Sequence, residues 1–111
     1  MNAAKQSPRM ETDGTLRWYA GDTFTLTLAF TLKDAGGSVI TPSQTDTITV
    51  KFFDKTMAAI QEFSNTGSAT IDLVFTDSIS AKFPEGAYSI LVKFNSDNVT
   101  TVLKSNKVVV E

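Results

Sequence analysis

Chemistry in this chain would have to come from carboxylates, because it contains neither histidine nor cysteine. Their absence removes the commonest general base, the thiol nucleophile and the usual zinc ligands together. Ser-His-Asp and Cys-His arrangements are excluded outright. Twelve acidic residues remain. Asp34, Asp54, Asp77 and Asp97 fall at turns or strand ends, where Asp is favoured because its carboxylate accepts from nearby backbone N–H groups. Glycoside hydrolysis would need two converging carboxylates, and no spacing here selects such a pair. No D-x-D-x-D-G run offers a calcium loop, and Asn95-Ser-Asp-Asn98 reads as a hairpin turn. Asn98-Val-Thr100 matches a glycosylation sequon, a chance match in a sequence without a secretion signal. The expectation is a protein that is not an enzyme, with no catalytic residue, no metal and no cofactor.

Composition narrows the partners. Ten basic residues against twelve acidic ones give a net charge of −2, and no basic block is present, which disfavours nucleic acid. No apolar run approaches the roughly 18 residues of a membrane span. A length of 111 residues suits one domain with its own core. Folding without disulfides is expected in a reducing cytoplasm.

The elements that would position any site are strands. Phe24, Leu26, Leu28, Phe30 and Leu32 alternate with Thr23, Thr25, Thr27, Ala29 and Thr31, a period of two that only a half-buried strand explains. The same alternation recurs at Leu16/Trp18, at Ile48/Val50/Phe52, at Ile71/Leu73/Phe75 and at Tyr88/Ile90/Val92/Phe94. Residues 57–63 are read as an edge strand returning on 47–53. Val99–Leu103 and Lys107–Val110 form a last pair of segments. Asp34-Ala-Gly-Gly-Ser38 and Asn65-Thr-Gly-Ser68 are turns. Thr76-Asp77 caps one helical turn carrying Ile79 and Phe83, and Pro84-Glu85-Gly86 stops it. Threonine, frequent and β-branched, suits the solvent face of such strands, and eight phenylalanines suit the core.

About seven or eight short strands with turns every 8–12 residues predict an all-β fold, an immunoglobulin-like antiparallel β-sandwich, with a barrel as the alternative. The sandwich is assigned to residues 14–111. Residues 1–13 are polar and aperiodic, and are read as an N-terminal arm that orders by lying on a neighbouring chain.

Tyr88 opens its strand directly after Gly86. That is the position of a tyrosine corner, in which the hydroxyl bonds upstream backbone. Both residues are therefore assigned to a structural corner. Tyr19, Phe53 and Leu91 sit on outward parity and are the interface candidates, because buried aromatic and apolar anchors dominate contact energetics.

Arg17-x-x-x-Gly21-Asp22-Thr-Phe24-x-Leu26-x-Leu28 resembles the "rGDtf.l.l" opening of immunoglobulin-like domains in tailed-phage virion proteins. Among these, the N-terminal domain of the baseplate upper protein is most similar. Ile71-Asp-Leu73-x-Phe75-Thr76, Lys82-Phe83-Pro84-x-Gly86-x-Tyr88 and Ile90-x-Val92-Lys93-Phe94 extend the likeness over roughly residues 14–111. The resemblance implies a non-enzymatic phage or prophage structural module, made in a bacterial cytoplasm and carried in the virion. It would attach in multiple copies to capsid, tail or baseplate, with other virion proteins or copies of itself as partners. The alternative is a carbohydrate- or host-surface-binding adhesion module whose partner is a surface glycan. Its aromatic platform would have to come from Tyr19 and Phe53.

Overall fold

Each of the alternating segments is a strand in the computed structural model, which describes residues 8–97 and 99–111. In chain order the elements are β1 (Arg9–Met10), β2 (Leu16–Trp18), β3 (Phe24–Ala29), β4 (Thr47–Phe53), β5 (Ala59–Thr66), β6 (Thr70–Phe75), α1 (Asp77–Ser80), β7 (Gly86–Ser96) and β8 (Val99–Val110). They form two sheets. One has six strands in the order β1-β2-β8-β7-β4-β5, and the other pairs β3 with β6. The inner faces share one apolar core, so the fold is an all-β sandwich.

Parity decides what enters that core. Ile48, Val50, Phe52, Ile71, Leu73, Phe75, Ile90, Val92 and Phe94 are buried as expected, while Thr25 and Thr27 are exposed. Leu16, Trp18, Leu32, Phe83, Val108 and Val110 join them in the core. On β3 only Leu28 is fully buried. Phe24 and Leu26 point inward but stay half-buried.

Four expectations change. The sandwich is not wholly antiparallel, because β2 runs parallel to β8, pairing Leu16 with Val108 and Trp18 with Val110. A first strand laid beside the last one in the same direction requires this. The strand expected through Leu32 ends at Ala29, because its partner β6 begins at Thr70. Only the Phe30 N–H continues the ladder, to the Ala69 carbonyl. The last two segments are one strand, β8. A register shift opposite Val92/Lys93 leaves Leu103 as the extra residue, a bulge that inverts the parity downstream. Residues 8–13, assigned to an arm on a neighbour, turn back on their own chain. Arg9 pairs with Arg17 and Met10 with Leu16. Ion pairs of 2.8 Å from Arg9 to Glu111 and from Arg17 to Glu11 fasten the hairpin. Residues 1–7 and Asn98 lie outside the described residues.

Ile90 is completely buried and Leu28 nearly so. Ile90→Ala or Leu28→Ala should therefore lower unfolding free energy by about 2–5 kcal/mol in chemical denaturation, the usual cost of lost transfer energy plus cavity.

Candidate interaction surfaces

Several described carboxylates shape turns, while Asp72 accepts from the Thr27 hydroxyl across the β3–β6 ladder at 2.6 Å and Glu62 lies 3.8 Å from Lys51. Asp54 Oδ1 accepts from the Thr56 hydroxyl at 2.6 Å, from Thr56 N at 2.8 Å and from Ala58 N at 3.1 Å. These bonds close the β4–β5 loop, whose tip places Met57 at φ 68. Asp34 Oδ1 accepts from Gly36 N and Ser38 N, and Asp46 Oδ2 accepts from Ser43 N at 2.9 Å. Among the described residues no group of three His, Cys, Asp or Glu side chains converges as a metal site, and no helix is long and apolar enough to cross a membrane.

Hydrogen bonding to the ionised form lowers a carboxyl pKa. The Thr15 backbone N–H holds Asp13 below the ordinary 3.8. The Ser43 N–H, then the Ser96 side chain, do the same for Asp46. The Thr56 hydroxyl, then the Ala58 N–H, do so for Asp54.

Tyr88 sits where a corner requires. Its hydroxyl donates to the Pro84 carbonyl four residues upstream, and its ring lies 5.2 Å from that of Phe83. Burial first, and then the negative Asp54, push the phenol above its ordinary 10. Gly86, at φ +156, turns the chain between the two, in backbone that side chains rarely adopt. The preceding turn is stitched in as well. Thr76 caps α1 by accepting from Ile79 N at 3.4 Å, and the Ser80 hydroxyl donates to the Asp22 carbonyl between the sheets.

Tyr19, Phe53 and Leu91 are all half-buried rather than exposed. The β4–β7 register pairs Phe53 with Ser89 and Lys51 with Leu91. Phe53 and Leu91 are thus diagonal neighbours on the outward face of the larger sheet. Tyr19 follows β2, with β8 and β7 between it and β4, and the Arg9 guanidinium lies 5.8 Å from its ring centroid. The aromatic pair Tyr19 and Phe53 therefore forms no common platform. Leu91 floors a shallow groove of about 280 Å³ with Thr49, Lys51, Glu62, Lys93, Asn95 and Thr100. Tyr88 and Gly86 border a second groove of about 360 Å³, whose rim mixes Asp54 and Glu85 with Lys55 and Lys82.

The large apolar residues that are exposed are others: Met10, Val39, Met57, Val74, Val99 and Val102. Val74 was legible from its parity opposite Leu73 and Phe75. Val99 and Val102 were not, because they have opposite parity and yet residues 99–102, at the β7–β8 hairpin end, are all exposed.

No protein-family model, curated protein or solved structure matches the chain.

Two outcomes follow from these contacts. Tyr88→Phe should cost about 1 kcal/mol by thermal or chemical unfolding, because it removes one donor and leaves the Pro84 carbonyl to solvent. The carboxylates set an acid limb. Asp13, Asp46 and Asp54 bind protons less readily when folded than when unfolded, so stability falls with decreasing pH only from about 4 downward, through their lowered folded values. Their contribution is complete above that range. Asp46→Asn and Asp54→Asn should each flatten the acid limb of a melting-temperature-versus-pH curve.

Proposed function

We propose that this chain is a non-enzymatic, immunoglobulin-like structural module of a tailed-phage or prophage virion, docked in repeated copies on capsid, tail or baseplate. The observation that carries the reading is where the family-like motifs fall. Gly21-Asp22 forms the crossover from β2 in the larger sheet to β3 in the smaller one. The Asp22 carbonyl accepts from Ser80 of α1, and α1 leads into the Tyr88 corner. Of the residues quoted for the likeness, Gly21-Asp22 and Phe83 to Tyr88 are thus joints of the sandwich, and most of the others lie in its strands.

Strand order supports the immunoglobulin-like part. The smaller sheet has the central β3–β6 pair of one immunoglobulin sheet. The run β8-β7-β4-β5 has the order of the opposing sheet of variable-type domains, and Tyr88 stands near the start of β7 as a corner tyrosine does. A sandwich closed on one shared apolar core suits a mechanical role. In such a role many symmetric copies let modest contacts sum. The adhesion alternative lacks the platform it needs, since Tyr19 and Phe53 stand apart.

The test is co-purification. Particles induced from the strain that encodes the chain and banded on a density gradient should contain it at a fixed, repeated stoichiometry by quantitative mass spectrometry. Its absence from every particle fraction would overturn the proposal. Saturable glycan-array binding by the purified domain would favour the adhesion reading instead.

A further inference from the structure

The two sheets leave their edges in different chemical states. Among the described strands β3 alone carries no charged residue. Arg9 lies in β1, Arg17 in β2, Lys51 in β4, Glu62 in β5, Asp72 in β6, Lys93 in β7, and Lys104 and Lys107 in β8. Charges and bulges are the usual guards against unwanted strand pairing. The outer edge of β8 has both, with its two lysines and the extra residue at Leu103. The outer edge of β5 has Glu62 and lies beside the register shift at Phe52/Phe53. The β3–β6 ladder, by contrast, is regular for six consecutive pairs, from Phe24↔Phe75 to Ala29↔Thr70. No described strand pairs with the outer edge of β3.

Burial differs between the two strands of that ladder. Across the same ladder Leu73 and Phe75 are at most 1% exposed, whereas their direct partners Leu26 and Phe24 are only half-buried. Both pairs point into the sandwich, so the difference comes from what flanks them. The outer edge of β6 is also unpaired, on a strand that carries the charged Asp72. Side chains of β5 nevertheless cover it, with Phe63 on Phe75 and Asn65 donating to the Thr70 carbonyl. No described strand flanks β3 in this way.

We propose that the free edge of β3 is a self-association surface that pairs antiparallel with β3 of a second copy, joining two small sheets into one of four strands. The occupant is a second copy because β3 has the pattern its own edge calls for. Apolar Phe24, Leu26 and Leu28 would face the cores, and Thr25 and Thr27 would face solvent. A two-fold contact sets each surface against itself, which brings a charged residue near the axis close to its own copy. β3 is the described strand for which self-pairing brings no such repulsion. A six-residue ladder is a small contact, so the affinity is modest. The inference goes beyond the virion reading and does not depend on it.

Sedimentation velocity of the full chain, over concentrations up to about 1 mM, should show a monomer–dimer equilibrium. Thr25 is exposed on β3 opposite Val74, so Thr25→Lys should fold normally. It should raise the dimer dissociation constant by about tenfold or more, because it places a lysine on each copy across the shared axis. Hydrogen exchange locates the contact. β3 amides should gain protection as concentration rises, while those of β5 and β8 do not change. A chain monomeric at every concentration overturns the inference. So does a dimer that Thr25→Lys leaves intact, or one whose protection maps to β5 or β8. Slow exchange of every β3 amide in the dilute monomer would assign the edge to the chain's own residues and overturn it as well. Particle incorporation by a strictly monomeric chain removes this inference alone, and a β3 dimer absent from particles removes the virion reading alone.

Discussion

Trp18 occupies a strand of three residues, yet the sandwich closes on it. Its ring centroid lies 5.1 Å from Phe75, 5.3 Å from Phe24, 5.7 Å from Phe83 and 6.2 Å from Phe52. Those rings come from β6, β3, the corner after α1, and β4. Tilted and edge-to-face geometries at such distances are the favoured arrangements of aromatic quadrupoles. Phe52 and Phe83 themselves stand edge-on at 5.3 Å. A side chain this large, fully removed from water, brings the parallel β2–β8 pairing with it. Without the Trp18 anchor, three residues of ladder would be too short to hold a chain end. The corner depends on it in turn. Phe83 is pinned by the indole side of the cluster, and Tyr88 packs on Phe83 before its hydroxyl reaches Pro84.

The strands were legible wherever a two-residue period ran unbroken, since a half-buried strand leaves no other reading of Phe24 to Leu28 or Ile48 to Phe52. The Tyr88 corner was legible for a local reason: glycine, tyrosine and their spacing carry the geometry. Long-range features were hidden. A parallel partnership between residues 16–18 and 108–110 has no local signature. The return of Arg9–Met10 onto β2 depends on Glu111 at the other end of the chain, which Arg9 meets at 2.8 Å. Ionic partners about a hundred residues apart cannot be read from a polar, aperiodic stretch.

Parity alone also misjudged the outward apolar residues. It places Leu91 on the solvent face correctly. It does not show that Lys51 of the neighbouring β4 and Lys93, two residues along β7, flank it, with stems that can lie along the sheet while their ammonium groups reach water. Leu91 floors the groove these lysines line and is half-buried as a result. Tyr19 is half-buried with the Arg9 guanidinium near its ring. Exposure in a sheet is set by side chains on the same and adjoining strands as much as by the face a residue occupies. Val74, opposite the short Thr25 at the small sheet, has no such cover and stays open.

Six strands facing two is an unequal sandwich, and its asymmetry falls on one side. A β-sheet buries an inward side chain fully only when it is flanked on both sides or capped by the facing sheet. β6 meets that condition through Phe63 of β5, whose ring stands 5.4 Å from that of Phe75. β3 meets it only at Leu28, while Phe24 stays half-buried although the Trp18 ring packs on it at 5.3 Å. In between, Leu26 is left half in water. The chain does not place a lysine or an irregular turn of backbone along β3 to discourage company, although both occur on the described edges of the larger sheet. The aromatic cluster ties β3 to the core through Phe24, so the strand stays regular and uncharged while incompletely covered.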